Sequence, residues 1–464
     1  MSRVTKIDKR NVEDIIGLSP IQGGILFHYL LDKSSSQYFE QYSYRLKGIL
    51  ELEKFYKAWE SVIANNEMLR VVYRWKEVEE PIQIILKHMP FRMNYMDLSS
   101  EYEDSLEDIL NNIKAREREI KFDLMEGSLL RLNLCKLKED TYEMIVNNHH
   151  ILFDGWSYMI ILKEFLQVYN SLILGITPIP ERRLKFKEYL KWLKNQSIKD
   201  GEAFWRQYLK EYIPRNLLPA DHKCSEQCIN AVNHSTLLIP QLVEKIQMSA
   251  NDNEVTSGTI LTAAWGLLLQ FYNNSRDITF GVTTSGRSSA ALHGIETLVG
   301  LVINTLPLRL KCSDEENVEK VIKKVGQDEI ERQEYEFVPL TNINTYRSAD
   351  KETRLFDSII VIENYPAEGI NRDDYKLKIE NYSGFGVTNY DLVLAVTVHN
   401  EITLNFIHNA DIFDEITIKL MGERYISILN IIAENYKCTV RDLMHSVLID
   451  SEIPEDEDIR FCYS

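Results

Sequence analysis

Cysteine is scarce: six in 464 residues, at Cys135, Cys224, Cys228, Cys312, Cys438 and Cys462. Their scatter argues against a disulfide-stapled secreted scaffold and for reduced thiols in a cytosolic protein. Cys224 and Cys228 alone lie close, and one Cys-x-x-x-Cys without a second pair is weak metal evidence. Positive charge is in deficit, with 53 Lys+Arg against 70 Asp+Glu and a net charge of −17. Such a balance disfavours binding to nucleic acid or an anionic membrane, although a local basic patch could still meet an acidic partner. The start, MSRVTKIDKRNVEDII, lacks the apolar core of a signal peptide. The most apolar helix-like run, Ile260 to Tyr272, is too short and interrupted to cross a bilayer and reads as a buried core helix. There is no short-period repeat.

What is there is ordinary globular material, 44% hydrophobic and 27% charged. A chain of 464 residues exceeds one simple core, so two lobes are expected. The run LSPIQGGILFHYLL predicts a helix to about Leu31, with Ser19 as N-cap, Pro20 in the first turn and Gln22 closing a capping box. The residues before it read as a short leader over 1–17. QYSYRLKGIL, LLRLNLCKL and YEMIVNNHH read as strands. KFYKAWESVIANN and DSLEDILNNIKAREREI read as helices. SYMIILKEFLQVYNSLIL has helical apolar spacing at Ile161, Phe165, Tyr169 and Leu172, ended by Gly175. The two prolines of GITPIPERR mark a boundary, giving one lobe over 18–178 and a second over 179–449. In the second, FKEYLKWLKNQ, EAFWRQYLKEY and DEITIKLMGERYISILNIIAEN are helices. DITFGVTTSGR, LVGLVINTLPLRL and DSIIVIENYP are strands, and YDLVLAVTVHNEITLNFIHN is a hairpin turning near Asn400. The acidic stretch 450–464 reads as a loose tail. Helices and strands mix in both halves, so the fold class is α/β.

The stretch NNHHILFDGWS, Asn147 to Ser157, carries the chemistry. As the end of a strand it sends His149 and His150 to opposite faces of the sheet, so the pair cannot hold one metal ion. His149 reads as a buried structural histidine. His150 sits where the strand enters a loop, a common place for a functional side chain. A neutral imidazole there can take a proton or hold a nucleophile. Asp154 can brace the loop or pair with a cation, and Gly155 permits close approach of a substrate. No serine or cysteine is spaced for a triad, which points to direct transfer between two bound substrates.

His149-His150-Ile151-Leu152-Phe153-Asp154-Gly155 reproduces the HHxxxDG signature and resembles the condensation domains of nonribosomal peptide synthetases, relatives of chloramphenicol acetyltransferase. The family's other motifs follow in order: LSPIQGGILFH (18–28), NNEMLR (65–70), FKEYLKW (186–192), VGLVINTLPLRL (299–310), YEFVPL (335–340) and LFDSIIVIENYP (355–366). The chain departs from them at Asn65 and Asn66, in place of Arg-His, and at Gly24, Val71 and Ile303. These bear on substrate detail more than on activity.

The resemblance implies two chloramphenicol-acetyltransferase-like lobes in a V with an active-site tunnel between them. It implies a donor acyl or peptidyl thioester and an acceptor aminoacyl thioester, each on the phosphopantetheine arm of a carrier protein. The acceptor amine attacks and an amide forms, with no cofactor of the enzyme's own. His150 and Gly155 would be catalytic. Asp154 would form a buried salt bridge with Arg70, beside a structural His149. Trp156, Ser157 and Asn304 would line the tunnel, and a satisfied strand-end Asn304 is the equal alternative. Residues 390–406 would cross over to complete the first lobe's sheet, and 283–300 would floor the tunnel. His293, His399 and His408 read as surface or packing residues. The form of 18–28, with VPL and ENYP later, resembles the subtype taking a donor that ends in a D-residue. The leader would then dock an upstream synthetase. A bacterial, cytoplasmic, monomeric protein is implied. Two alternatives remain: a stand-alone acyltransferase with a free amine or alcohol acceptor, and a non-catalytic condensation-like recruitment module. An epimerisation domain is disfavoured because no EGHGRE-type stretch occurs in the second lobe.

Overall fold

The computed structural model describes residues 7–32, 37–214, 218, 220–222, 230–288, 292–346, 354–364, 369–386, 388, 390–398 and 401–450. The acidic tail from 451, Cys224, Cys228, Cys462, His399 and the turn expected at Asn400 lie outside them. In chain order the elements begin β1 (Val12–Gly17), α1 (Pro20–Leu31), β2 (Phe39–Gly48), α2 (Leu52–Asn65), β3 (Val71–Arg74) and β4 (Ile82–Leu86). Then come β5 (Arg92–Asp97), α3 (Glu103–Glu119), β6 (Leu130–Lys136), β7 (Thr141–His149), α4 (Gly155–Ile173) and α5 (Phe186–Lys194). Next are α6 (Ile198–Tyr208), β8 (Ala231–Leu237), α7 (Pro240–Asp252), α8 (Ser257–Tyr272), β9 (Asp277–Thr284), β10 (Asn304–Lys311), α9 (Val318–Gln333) and α10 (Leu340–Thr345). The chain closes with β11 (Ser358–Glu363), β12 (Leu377–Gly386), β13 (Leu392–Val398), β14 (Ile402–Asn409), α11 (Glu415–Asn435) and α12 (Val440–Asp450).

These elements form two units, both mixed α/β. The first takes residues 1–196, 289–302 and 365–388. The second takes 197–288, 303–364 and 389–464. The boundary expected at 178/179 therefore falls later, and α5 belongs to the first unit. Its backbone anchors there, since Phe186 N donates to the Glu67 carboxylate at 2.8 Å.

In the first unit a five-stranded sheet runs β12-β2-β7-β6-β5. β7 is its central strand and is buried from Tyr142 to His149. A helix covers each face. On one side α4 and α2 stack Trp59 on Phe165, ring centroids 4.7 Å apart, with Phe55 and Tyr169 beside them. On the other, α3 meets a polar layer: Gln41 donates to Asn147 at 2.8 Å and Arg131 pairs with Glu117 at 3.1 Å. A second, three-stranded sheet has the order β1-β4-β3. The leader expected over 1–17 is not separate from the fold from Val12 on, because β1 pairs with β4 across Val12–Gly17. Its Glu13–Asp14 pair interrupts the alternation, and of Val12, Ile15 and Ile16 only Ile16 is buried.

The strand that crosses over to complete the first unit's sheet is β12, antiparallel to β2 from Leu377 to Gly386. This corrects the expectation for residues 390–406. They instead form β13 and the start of β14, inside the second unit's sheet, whose order is β10-β9-β11-β13-β14-β8. Burial explains the exchange. β13 reads LVLAV and is buried over Leu392–Ala395 and at Val396, as an interior strand must be. β12 reads LKIENYSGFG, is exposed over Glu380–Gly384 and is buried only at Leu377, as suits a sheet edge. Gly48, with φ +130°, ends β2 where the Lys376 carbonyl leaves no room for a Cβ.

In the second unit α8 lies buried from Thr259 to Gln270, as expected of its apolar run. Its Ile260, Trp265 and Leu268 join Phe280, Leu394, Phe406 and Tyr425 in one core. Among the described residues no helix is long and apolar enough to cross a membrane.

Candidate active site

β7 carries the candidate residues to the end of the central strand, and α4 begins just after them. The first histidine is locked away. His149 is buried, and its Nδ1 accepts the Ile151 N–H at 3.2 Å, which identifies the unprotonated nitrogen. Tyr29, Tyr38 and Phe122 surround the ring. Burial, and then the neighbouring His150, hold its pKa down to about 3. It is a neutral packing residue across the physiological range, as its place on the strand suggests.

His150 faces the other way, with about a fifth of its side chain exposed (21%). Its Nδ1 lies 3.1 Å from Glu40 Oε1 and 3.1 Å from the Phe153 carbonyl. Both are acceptors, so Nδ1 carries the hydrogen. Nε2 has no partner among the described residues. Burial works against a charged ring here. The Glu40 carboxylate and its hydrogen bond outweigh it, helped by Asp154 and the Phe153 carbonyl, and raise the pKa to about 9. Glu40 comes from β2, where it pairs directly with Asn148 of β7. Cross-strand partners share a face, and so do Asn148 and His150, two residues apart. The Asn148 amide donates to Glu40 Oε2 at 2.8 Å.

The loop between His150 and α4 is held by hydrogen bonds at several of its peptides. The His150 N–H donates to the Tyr38 carbonyl at 2.8 Å, and Tyr38 holds a left-handed φ of 64°. The Tyr38 hydroxyl contacts His28 Nδ1, at the end of the LSPIQGGILFH motif. The Ile151 carbonyl accepts from Gln22 Nε2 at 3.1 Å and from the Tyr73 hydroxyl at 3.2 Å. Gln22 also closes the capping box of α1, its Oε1 accepting from Ser19 N at 3.0 Å. One glutamine therefore fixes the start of α1 and the loop after His150.

Asp154 is fully buried and caps α4. Its Oδ1 accepts from Ser157 N at 2.9 Å and Ser157 Oγ at 2.8 Å, and its Oδ2 accepts from Val302 N at 2.9 Å. The salt bridge expected between Asp154 and Arg70 is not formed. Arg70 pairs instead with Glu13 of β1 at 2.8 Å and donates to the carbonyls of Ile63 and Leu86. Local sequence gives no signal of that partner, because β1 does not read as a strand. Gly155 opens α4 beside this cap.

Of the three residues expected to line a tunnel, Ser157 is buried. Its hydroxyl donates to Asp154, contacts Gly300 O at 2.9 Å and accepts from Gly300 N at 3.1 Å, so it braces structure instead. Trp156 is partly exposed, and its indole donates to the Glu296 carbonyl at 3.0 Å. Asn304, on β10 of the second unit, spends both amide hydrogens on the Glu336 and Val338 carbonyls, at 2.8 and 2.9 Å, as a satisfied strand-end Asn does. The stretch 292–302 supplies the carbonyls and the Val302 N–H that hold the start of α4, a role its sequence does not announce.

The departures at Asn65 and Asn66 also have a structural reason. Their amides donate to the two oxygens of Glu164, at 2.6 and 2.8 Å, and Arg183 pairs with the same carboxylate. The cluster ties the end of α2 to α4. Of the histidines set aside, His408 is buried in packing.

The family model for condensation domains matches residues 12–447. Bacitracin synthase 3 of Bacillus licheniformis is 30% identical over 438 residues, covering 94% of this chain and 7% of that protein. Gramicidin S synthase 2 of Brevibacillus brevis is 30% identical over 448 residues, covering 94% of this chain and 10% of that protein. The chain thus spans no more than about a tenth of the length of either relative. Among solved structures, the first condensation domain of the calcium-dependent antibiotic synthetase, in complex with a substrate analogue, superposes with a TM-score of 0.80. It is 18% identical, with 93% of this chain and 99% of that one covered. The starter condensation domain of rhizomide synthetase, in complex with C8-CoA, gives 0.78 at 18% identity, covering 92% and 96%.

Proposed function

The chain belongs to the condensation-domain family, and on that premise we propose that it joins a donor acyl or peptidyl thioester to the amine of an acceptor aminoacyl thioester. Both substrates ride on the phosphopantetheine arms of carrier proteins, and the enzyme contributes no cofactor. The observation that carries the reading is His150. It stands at the end of the central strand on a loop held by several backbone hydrogen bonds, with Nδ1 occupied and Nε2 left for a substrate.

The chemistry balances without a further reactant. The neutral acceptor amine attacks the thioester carbonyl, the C–N bond forms and the carbonyl electron pair moves to oxygen. The intermediate collapses, the C–S bond breaks, and the proton lost by nitrogen ends on the departing thiol. Orientation accounts for much of such a step, since an amine that arrives neutral needs little deprotonation. A donor on Nε2 facing the developing oxyanion would add electrostatic stabilisation.

The form of residues 18–28 supports a donor ending in a D-residue, and the relatives' organisms support a bacterial source. In the test, a donor carrier protein bears a dipeptidyl thioester ending in a D- or an L-residue, and an acceptor carrier protein bears an aminoacyl thioester. Intact-protein mass spectrometry should show the dipeptidyl mass moving to the acceptor with the D-donor. Acylation of a free amine, with no transfer to any loaded acceptor, would contradict the reading.

A further inference from the structure

We propose that Glu40 is the positioning residue of this site: its carboxylate takes the Nδ1 hydrogen of His150, turns the ring, and leaves Nε2 as a hydrogen-bond donor to the reacting thioester. The inference rests on the functional reading above and assigns work to a residue outside the HHxxxDG motif.

The geometry is built from the sheet. Glu40 and Asn148 are opposed residues of β2 and β7, and His150 follows Asn148 on the same face. One carboxylate oxygen lies 3.1 Å from His150 Nδ1, and the other accepts from Asn148 Nδ2 at 2.8 Å. Both oxygens are thereby directed, and the Glu40 side chain is largely buried (14% exposed). The arrangement has the logic of a carboxylate behind a catalytic histidine, which fixes the tautomer and compensates a positive ring. The titratable groups facing the ring are Glu40 from β2, Asp154 at the cap of α4, and the neutral His149 beside it in the chain. Tyr42 reaches Glu40 Oε1 at 3.5 Å. With the Glu40 carboxylate against Nδ1, the Asp154 carboxylate adding to its field and no cation facing it among the described residues, the ring is held as an imidazolium at neutral pH. A charged ring cannot accept a proton at Nε2, so the site acts through the donated hydrogen and not as a base.

The test reads the ring directly, on the full chain without substrate. Histidine is labelled at ring carbon Cε1, and its NMR signal is followed with pH. The chain has ten histidines, and His150 is the signal lost in His150→Ala. The wild-type ring should titrate near pH 9, and in Glu40→Gln at least one pH unit lower, a loss of about tenfold in proton affinity. A wild-type midpoint near 6.5, or an unchanged midpoint in Glu40→Gln, would overturn the inference. The wild-type titration needs no variant to fold. With carrier-bound substrates, Glu40→Gln should lower kcat with little change in KM. Its alkaline loss of activity should move down with the NMR midpoint, and Glu40→Asp should recover part of both. A purely structural role would leave the alkaline limb in place. Full activity in His150→Ala would contradict the functional reading instead, whatever the midpoint in Glu40→Gln.

Discussion

Replacing Asp154 with alanine tests how the loop after His150 is held. The wild-type carboxylate accepts from Ser157 N, Ser157 Oγ and Val302 N. Losing a helix N-cap costs about 1 kcal/mol. Stranding a buried N–H such as that of Val302 costs roughly 1–3 kcal/mol more. The sum is roughly 3 kcal/mol of local stability, and each 1.4 kcal/mol is about tenfold in an opening equilibrium. Two-unit chains often unfold in more than one step, so a single denaturation midpoint is a poor gauge. Hydrogen exchange at the site is the better assay. Peptides covering 151–160 and 296–303 should exchange roughly 100-fold faster in Asp154→Ala, by that conversion, while α8 peptides stay unchanged. Asp154→Asn keeps one acceptor oxygen and should fall between. Exchange within threefold of wild type at both peptides would refute the cap as the brace of this loop.

Other outcomes follow from the same geometry. Arg70→Met should destabilise the first unit by roughly 1–3 kcal/mol, the cost of leaving the Ile63 and Leu86 carbonyls without their donor, since Glu13 is exposed and keeps Lys185. A double-mutant cycle should show coupling between Arg70 and Glu13 and none between Arg70 and Asp154, which unfolding rates of the single and double variants would reveal. His149 is neutral in the fold with its pKa depressed to about 3. Its stabilising contribution is therefore complete above the unfolded value near 6.5 and is lost as pH falls from there toward 3. The span corresponds to roughly 3–5 kcal/mol. His149→Phe should flatten that part of a stability–pH curve for the first unit, read from hydrogen-exchange protection of β7 peptides corrected for intrinsic rates, and an unchanged slope would contradict the assignment. Gly48→Ala should loosen the edge of the first unit's sheet, because its Cβ would meet the Lys376 carbonyl. Faster hydrogen exchange over 377–386 would show it, and wild-type protection there would count against the required close approach.

Much of this is legible along the chain because it is local. The capping box of Ser19 and Gln22, the strand running into the histidine pair, the end of α4 near Gly175 and the buried helix through Ile260–Tyr272 all follow from periodicity and end chemistry within a few residues. Partner identity across long separations is not legible. Arg70 meets Glu13 at a separation of 57 residues, and Glu40 meets His150 only once the β2–β7 register is known. β1 and β12 escape the sequence pattern for a related reason. Edge strands expose most of their side chains, so they carry polar residues and weaken the pattern that marks a strand. Asn65 and Asn66 look like substrate-related departures until the buried Glu164 carboxylate is seen between them.

The most direct measurement is single-turnover transfer between loaded donor and acceptor carrier proteins, comparing wild type with His150→Ala by intact mass. Loss of a positioned donor from the reacting carbonyl should slow transfer roughly 100- to 1,000-fold, with the variant's fold confirmed by unchanged hydrogen exchange over α4. Transfer within tenfold of wild type would contradict the role given to His150, and with it the central claim.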